Sequence, residues 1–177
     1  DKGKGGGGKG GAKGGGFSLP PTIKLTIAGV GADGMFPAAN AGQGKSPAIS
    51  WSVVPAGTQA FALLMHDPEP VIGKNAIGDV THWVVFDIPG TATGLPAGVA
   101  AGELPDGTKQ GGNITNAAAY MGPGPPAGHG IHHYTFELWA LDAKLGLPNG
   151  ASRDDVMKAM NGHVIGKGYA ITPFENK

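Results

Sequence analysis

Hydrophobic and polar positions alternate along some stretches of the chain, while two other stretches are almost continuously apolar. The run TIKLTIAG begins at Thr22 and alternates, and the run AISWSVVP ends at Pro55. The runs AFALLMHD (60–67) and THWVVFDIP (81–89) are near-continuous apolar stretches bounded by turn residues. Short continuous apolar runs are typical of strands that are buried on both faces. The pattern therefore predicts β-strands in all four stretches.

The C-terminal third of the chain predicts further strands. HYTFELWALD alternates, so that Tyr134, Phe136, Leu138 and Ala140 share one side of an extended chain and Thr135, Glu137, Trp139 and Leu141 share the other. The run HVIGKGYAITPF predicts a last strand, or a short helix followed by a strand.

One helix is predicted between these strands, in the run SRDDVMKAM near residues 152–161. Ser152 is suited to the N-cap, and Asp155 stands where the acid of a capping box would. Val156, Met157 and Met160 form the inward stripe. Strands with one late helix predict a mostly β fold, an antiparallel β-sandwich with one or two short helices.

The chain divides into a tail and one domain. Residues 1–16, DKGKGGGGKGGAKGGG, contain only Gly, Lys, one Ala and one Asp. Such a composition cannot build a core, so residues 17–177 are predicted to form the single globular domain. Gly- and Pro-rich connections run through residues 89–131, a length that can carry a functional loop.

Composition excludes several classes of function. The chain has 13 basic and 13 acidic residues, so no global field favours nucleic acid. It has no cysteine, which excludes catalytic thiols, disulfides and cysteine-ligated zinc. No apolar run reaches the roughly 18 residues of a membrane span. Because the sequence starts at Asp1, we expect either a processed mature protein or a shortened chain. The predicted location is secreted, periplasmic or at the cell surface, with a cytoplasmic location still open.

Three segments carry side chains suited to chemistry. In MHDPEP, Asp67 and Glu69 are two residues apart and can face the same side of an extended chain. His82 directly precedes the apolar run WVVFDIP. The third segment, YMGPGPPAGHGIHHY over 120–134, has two Gly-Pro pairs followed by three histidines, where a simple turn needs one such pair. Taken singly, such acids and histidines more often cap turns or fill cores.

In this order, DPEP, HW, GPGPP and HHY leading into FELWALD, the motifs resemble those of the phosphatidylethanolamine-binding protein family, including its bacterial and archaeal Raf-kinase-inhibitor-like members. The resemblance covers about residues 46–172. It implies a β-sandwich with a small anion pocket near the surface that binds phosphate-like or carboxylate groups, including phospholipid head groups. The ligand-binding positions that it implies are Asp67, Glu69, His82, Tyr120, Gly124, Pro125, Pro126, His132 and Tyr134.

The chemistry of these positions is intelligible from the residues themselves. Gly124 has no Cβ, so a ligand can approach the backbone, and the proline pair keeps that wall stiff. His82 and His132 can donate to an anionic oxygen and titrate in the physiological range. Tyr120 offers a hydroxyl and an apolar face. The carboxylates can orient the imidazoles or meet an ammonium group.

The sequence departs from the family pattern at two points. The family usually has a second Asp followed by Ala and Pro, whereas here Glu69 is followed at once by Pro70. The family's usual Arg between the His and the Tyr is His133. In relatives that Arg is expected to pair with an acid of the first motif, so these changes bear on the link between the two segments.

The function predicted first is a binding protein without turnover, cofactor or metal, which takes a small anion or a phospholipid head group. An alternative is a metal-dependent hydrolase built on Asp67, Glu69, His82 and His132, with His129 as a further candidate ligand. The chain has no G-x-S-x-G or H-E-x-x-H motif to support an enzyme. The resemblance also implies a kinase or protease inhibitor as an alternative.

A further alternative concerns assembly through the tail and its lysines, Lys2, Lys4, Lys9 and Lys13. Fixing sixteen residues of backbone costs on the order of 16–32 kcal/mol, and the tail has no apolar side chains to offset this. Hydrogen bonds to a neighbouring subunit would offset it, since glycine permits close approach. This predicts a structural subunit of a homo-oligomer or filament, with residues 1–16 in the contacts. A flexible linker or surface spacer is the other interpretation of the tail.

Overall fold

The computed structural model describes residues 20–70 and 79–177. The predicted tail and its four lysines lie outside the described residues. The strands are β1 Lys24–Ile27, β2 Ile49–Ser52, β3 Ala60–Asp67, β4 Val80–Pro89, β5 Gly94–Leu95, β6 Lys109–Gln110, β7 His132–Leu141 and β8 Val164–Phe174. The helix α1 spans Arg153–Met160, and a single 3-10 turn spans Ala38–Asn40.

The strands form two antiparallel sheets, which confirms the predicted mostly β fold. The smaller sheet has the order β1-β2-β5, and the larger has the order β6-β4-β3-β7-β8. In the larger sheet β3 is central, and it pairs along its length with both β4 and β7. The two short strands β5 and β6 lie in the Gly- and Pro-rich connection, where no periodic pattern predicted them.

The main core lies between the two sheets. Alternate residues of β7 point into it, as the alternation predicted: Tyr134, Phe136, Leu138 and Ala140 are all buried. They meet inward residues of the smaller sheet, among them Ile49 and Trp51. Each large side chain buried in this way contributes about 1.5–3 kcal/mol relative to leaving it exposed.

A second core on the opposite face of the larger sheet explains the continuous apolar runs of β3 and β4. Ala62, Leu64, Val84 and Phe86 face it, together with Trp139 and Leu141 of β7. The helix α1 covers this face with Val156 and Met160, which are 3% and 2% exposed. The prediction that Met157 belongs to the inward stripe was wrong: it is 38% exposed, because the short helix presents only one narrow line of side chains to the sheet.

The predicted N-cap of α1 is confirmed. The hydroxyl oxygen of Ser152 accepts the backbone N–H of Asp155 at 3.1 Å, and the hydroxyl donates to the Asp155 carboxylate at 2.7 Å. This closes the first turn of the helix with a reciprocal pair of bonds. In the described ranges 20–70 and 79–177, no helix has the length and apolar character that a membrane crossing requires.

Two strand boundaries differ from the predicted ones. The strand β2 ends at Ser52 rather than continuing to Pro55, because Val53 takes a left-handed conformation with φ 63°. The first strand begins at Lys24 rather than Thr22, since Thr22 instead bridges in parallel to Lys167 of β8. The last segment is one continuous strand over Val164–Phe174, without the alternative short helix.

Candidate functional site

The polar segments meet at one edge of the larger sheet. Asp67 ends β3, while His82 lies near the start of β4 and His132 begins β7. Because β3 runs antiparallel to both neighbours, its end and their starts lie side by side. A cavity of about 700 Å³ opens there. Its lining residues are Gly42, Gln43, Asp67, Glu69, Pro70, Val80, His82, Met121, Gly122, Gly124, Pro125, Pro126, His129, Ile131, His132 and Tyr134.

Eight of the nine predicted ligand-binding residues line this cavity. The exception is Tyr120, which was expected to offer its hydroxyl to a ligand. Its hydroxyl instead donates to the carbonyl of Asn40 at 2.6 Å, and its ring packs edge-on against Trp83 at 5.3 Å. Tyr120 therefore supports the cavity wall from behind, where its polar group is already satisfied.

The glycines and prolines of residues 121–126 form that wall. The N–H of Met121 donates to the carbonyl of His82 at 3.0 Å, and the N–H of Gly42 donates to the carbonyl of Pro123 at 2.7 Å. A Cβ at Gly122 would lie 2.7 Å from the carbonyl oxygens of both Asn40 and Gly42, so only glycine fits there. A Cβ at Gly124 would meet nothing within 4 Å. Packing thus requires Gly122, whereas the space at Gly124 is free for another molecule.

The loop that leads to this wall is held by Asn113, which the sequence did not single out. Its side-chain oxygen accepts the N–H groups of Thr115 and Ala117 at 2.9 and 3.2 Å. Its amide group donates to the carbonyl of Ala119 at 3.1 Å. One buried side chain therefore closes the turn just before residues 120–126.

His82 is fixed against the wall by one ring nitrogen. Its Nδ1 donates to the carbonyl of Met121 at 2.9 Å, and its ring lies edge-on to Tyr134 at 5.1 Å. The side chain is only 4% exposed. Burial lowers the pKa of His82 below its ordinary 6.5, against the opposing pull of the Met121 carbonyl and the Asp67 charge.

His132 and Asp67 form a buried pair beside it. His132 Nδ1 lies 2.7 Å from Asp67 Oδ2, and the two side chains are 7% and 3% exposed. The other oxygen, Asp67 Oδ1, accepts the backbone N–H of Glu69 at 3.0 Å. Burial raises the pKa of Asp67 above its ordinary 3.8, although its contact with His132 opposes the shift.

His133, which stands where the family usually has Arg, keeps the link between the two segments. Its backbone N–H donates to Glu69 Oε2 at 3.0 Å, and its Nδ1 lies 2.6 Å from Glu69 Oε1. Burial would raise the pKa of Glu69, but hydrogen bonds with Asp67 and His133 outweigh it and lower this pKa to about 2. The longer Glu69 and the shorter His133 therefore form a pair that fastens one rim of the cavity.

Several cavity residues were not among the nine predicted ligand-binding positions. His129 lines the cavity and its ring lies nearly parallel to that of His132, with the centroids 6.2 Å apart. The spacing His129-x-x-His132 was the one signal for it. Gln43 comes from the 3-10 region before β2, and only the folded chain brings it to the rim. No Lys or Arg is among the residues that line the cavity in the described part of the chain.

A metal ion could find ligands at the same edge. Asp67, Glu69 and His132 each offer one ligand atom, and these atoms lie within 4.8 Å of one another. In the structure the two carboxylates already bind His132 and His133. The cluster is therefore satisfied by its own hydrogen bonds, and a metal would have to displace them.

Comparisons with known proteins agree with this architecture. Residues 26–175 match the model of the family described as phosphatidylethanolamine-binding protein. A protein of Methanothermobacter thermautotrophicus named UPF0098 is 46% identical over 132 residues, which cover 73% of this chain and 82% of that protein. A Mycobacterium tuberculosis protein named as a candidate lipoprotein, LppC, is 35% identical over 76% of this chain and 62% of its own length. The crystal structure of Escherichia coli YbcL, titled as a new member of the mammalian PEBP family, superposes with a TM-score of 0.76 at 29% identity, covering 88% of this chain and 99% of that one.

Proposed function

This chain belongs to the phosphatidylethanolamine-binding protein family, and we propose that it binds a small phosphate- or carboxylate-bearing ligand, free or as a lipid head group, in the cavity at the edge of the larger sheet. The observation that carries the proposal is the convergence of His82 and His132 on one cavity beside the open backbone at Gly124. Two imidazoles and a wall without a side chain suit a compact anion.

The proposal is tested by calorimetric titration with inorganic phosphate and with phosphoethanolamine at about pH 6 and about pH 8. Binding should be tighter at the lower pH, because protonation of an imidazole adds a donor and a positive charge. The variant His82→Ala should lose most of the affinity. His163→Ala is a matched control, since His163 lies at the surface and pairs with Asp142 at 2.8 Å. Absence of binding at both pH values, or weaker binding at the lower one, would contradict the proposal.

Binding without turnover is part of this proposal. The carboxylates Asp67 and Glu69 hold histidines rather than standing free for acid–base work. A metal-dependent hydrolase on Asp67, Glu69, His82 and His132 remains the alternative, and titration with Zn²⁺ and Mn²⁺ separates the two. Tight metal binding together with phosphatase or esterase activity would favour the enzyme.

Assembly through residues 1–16 is a second candidate function, favoured by the outer edge of β8. At Lys167 that edge is covered, because its N–H donates to Pro21 at 3.0 Å and its carbonyl accepts from Ile23 at 2.8 Å. Farther along, the outward backbone groups of Tyr169 and Ile171 have no backbone partner among residues 20–70 and 79–177. Their side chains are 65% and 53% exposed. An extended segment of a neighbouring subunit could add there as a further strand.

The assembly proposal is decided by a chain that starts at Phe17. Light scattering and electron microscopy should find the full chain as an oligomer or filament and the shortened chain as a monomer. Assembly that survives the truncation would reject a role for the tail. Inhibition of a kinase or a protease is a third candidate function. We also propose a secreted, periplasmic or cell-surface location, which is supported by the name of the mycobacterial relative.

A further inference from the structure

We propose that Asn161, in the turn between α1 and β8, is a site of spontaneous modification at which the side-chain amide is converted to a carboxylate in the folded protein, while Asn149 is protected from the same reaction. The chain has two Asn-Gly pairs, Asn149-Gly150 and Asn161-Gly162. Neither pair is among the residues that line the cavity. The modification therefore concerns a part of the molecule that the proposed binding function does not use.

The reaction is an intramolecular attack followed by hydrolysis. The backbone nitrogen of the glycine loses its proton to hydroxide and attacks Cγ of the asparagine, which forms a new C–N bond and closes a succinimide ring. The side-chain nitrogen leaves as ammonia, and water then opens the ring at either carbonyl to give aspartate or isoaspartate. A glycine after the asparagine favours the attack, because it has no Cβ to block the approach or to restrict backbone rotation.

The two pairs occupy equivalent positions in two similar turns, 148–151 and 160–163. In each turn the N–H of the last residue donates to the carbonyl of the first, at 3.2 and 3.0 Å respectively. Gly150 and Gly162 each stand at the third position with a positive φ, 85° and 87°, a conformation that glycine adopts readily. Both pairs are exposed to solvent, so hydroxide and water can reach both. Turn type and exposure therefore do not distinguish them.

Hydrogen bonds to Gln110 of β6 hold the first pair. The side-chain oxygen of Asn149 accepts the N–H of Gln110 at 3.0 Å, and the N–H of Gly150 donates to the carbonyl of Gln110 at 2.7 Å. Gln110 is fully buried. The attacking nitrogen and the amide that it must reach are thus both tied to one residue of the sheet. Ring closure would break both bonds and leave buried backbone groups unpaired.

The second pair has no such restraint among residues 20–70 and 79–177. There the N–H of Gly162 donates to no acceptor, and the side-chain amide of Asn161 makes no hydrogen bond. Asn161 has ψ 124°, and rotation about this bond towards ring closure opens one hydrogen bond, from the N–H of His163 to the carbonyl of Met160. The corresponding bond is also lost in the first turn. The two bonds to Gln110 are therefore the difference in barrier between the pairs.

The modification would weaken the end of α1. Asn161 is the C-cap of this helix, and its N–H donates to the carbonyl of Lys158 at 3.2 Å. A carboxylate there lies at the negative end of the helix dipole, and isoaspartate adds one carbon to the backbone that links α1 to β8. The variant Asn161→Asp should therefore unfold at a lower denaturant concentration than the unaltered chain. An equal or higher midpoint would overturn this consequence.

The test of the site is peptide mapping by mass spectrometry of the full chain after incubation at mildly alkaline pH. The peptides that contain Asn149 and Asn161 report on both pairs in the same sample, through the mass gain that marks the exchange of an amide nitrogen for oxygen. In the folded chain Asn161 should convert at least about tenfold faster than Asn149, because two fewer hydrogen bonds must break. In denaturant the two rates should agree within about threefold, since both asparagines precede glycine.

A variant and two contrary outcomes complete the test. Asn161→Gln should abolish the mass gain in its peptide and leave the slow conversion of Asn149 unchanged, because the longer side chain closes a ring far less readily. If Asn149 converts as fast as Asn161 in the folded chain, protection by Gln110 is refuted. If Asn161 fails to convert in the folded chain, whether or not it converts in denaturant, the modification site is overturned.

Discussion

Two successive residues of β3 point to opposite faces of the larger sheet and enter two polar clusters of different construction. His66 enters a charge network with Asp79, Glu137, Arg153 and Lys167. Asp67 enters the cavity with His82 and His132. Both clusters contain partly or fully buried imidazoles, yet among residues 20–70 and 79–177 only the network contains Arg or Lys.

The two clusters shift histidine in opposite directions. Burial lowers the pKa of both His66 and His82. At His66 the carboxylates of Glu137 and Asp79 outweigh burial, so its pKa is raised. The contact from His66 Nε2 to Glu137 is 3.4 Å long and acts as a charge contact rather than a hydrogen bond. At His82 the Met121 carbonyl and the Asp67 charge do not outweigh burial, so its pKa is lowered.

The difference separates a cluster suited to stabilising the fold from the cluster to which we assign the proposed binding. In the network each acid has a base: Arg153 lies 2.7 Å from Asp79, and Lys167 lies 2.8 Å from Glu137. The network joins α1, β3, β7 and β8, and its charged groups are already paired with one another. In the cavity, His82 and His132 each make a hydrogen bond through Nδ1 alone among residues 20–70 and 79–177. Substitutions should therefore affect stability on one face and binding on the other.

The largest loss of stability is expected for Glu137→Gln. Contacts with His66 and Lys167 lower the pKa of Glu137 from 4.5 to about 2. A lowered carboxyl pKa stabilises the folded state above the unfolded pKa, and that contribution is lost as the pH falls towards 2. Denaturant titration at neutral pH should show a loss on the order of 2 kcal/mol that fades in acid, with phosphate affinity unchanged. Glu103→Gln, at an exposed position, is the control; an equal loss there would refute the assignment.

His66→Gln should cost somewhat less and show the opposite dependence on pH. Because the pKa of His66 is raised above 6.5, its contribution is complete below that pH and is lost as the pH rises through the folded value. We expect a loss on the order of 1–2 kcal/mol at about pH 5.5 that shrinks in alkali. Unfolding curves of the variant and of the unaltered chain across this range measure it. A difference that grows with pH would show that His66 folds as the neutral form.

The fold was predictable where burial leaves a clear pattern of apolar residues in the sequence. The runs at 60–67 and 81–89 became β3 and β4, because strands covered on both faces are apolar at every position. The two-residue strands β5 and β6 left no such trace. Their backbone pairing is set by the neighbouring strands, not by their own side chains.

The candidate site was predictable only as an ordered set of motifs. The sequence placed Asp67, His82 and His132 together, but it assigned Tyr120 to the ligand, because a tyrosine that binds a backbone carbonyl looks the same in sequence as a free one. It did not reveal that His133 pairs with Glu69, because both residues depart from the family pattern that implies a link there.

Asp67→Asn should change binding with little effect on stability. Glu69 N–H holds the oxygen of the new amide, so its NH₂ group faces His132 Nδ1. His132 must then carry its hydrogen on Nε2, which becomes a donor to the cavity. We expect sulfate affinity to rise about tenfold and stability to change by less than about 1 kcal/mol, since burial already disfavours the charged Asp67. Asp142→Asn at the surface is the matched control. Unchanged sulfate affinity would contradict this exchange of donor and acceptor on His132.

The smallest effect is expected for His133, which contacts the Glu69 carboxylate at the rim of the cavity rather than in the network. Its side chain is 54% exposed, and exposed pairs contribute about 0–1 kcal/mol. His133→Ala removes the ring contact but keeps the backbone N–H bond to Glu69, so denaturant titration should show a loss of about 0.5 kcal/mol.

His133→Arg tests the same contact by replacing the imidazole with a guanidinium instead of removing it. A guanidinium can meet both oxygens of Glu69 and stays charged at every accessible pH, so stability should match that of the unaltered chain within about 0.5 kcal/mol. Phosphate affinity should be retained, because His133 is not among the residues that line the cavity. A loss above about 2 kcal/mol in His133→Ala would show instead that this rim contact is as strong as the buried network on the opposite face of the sheet.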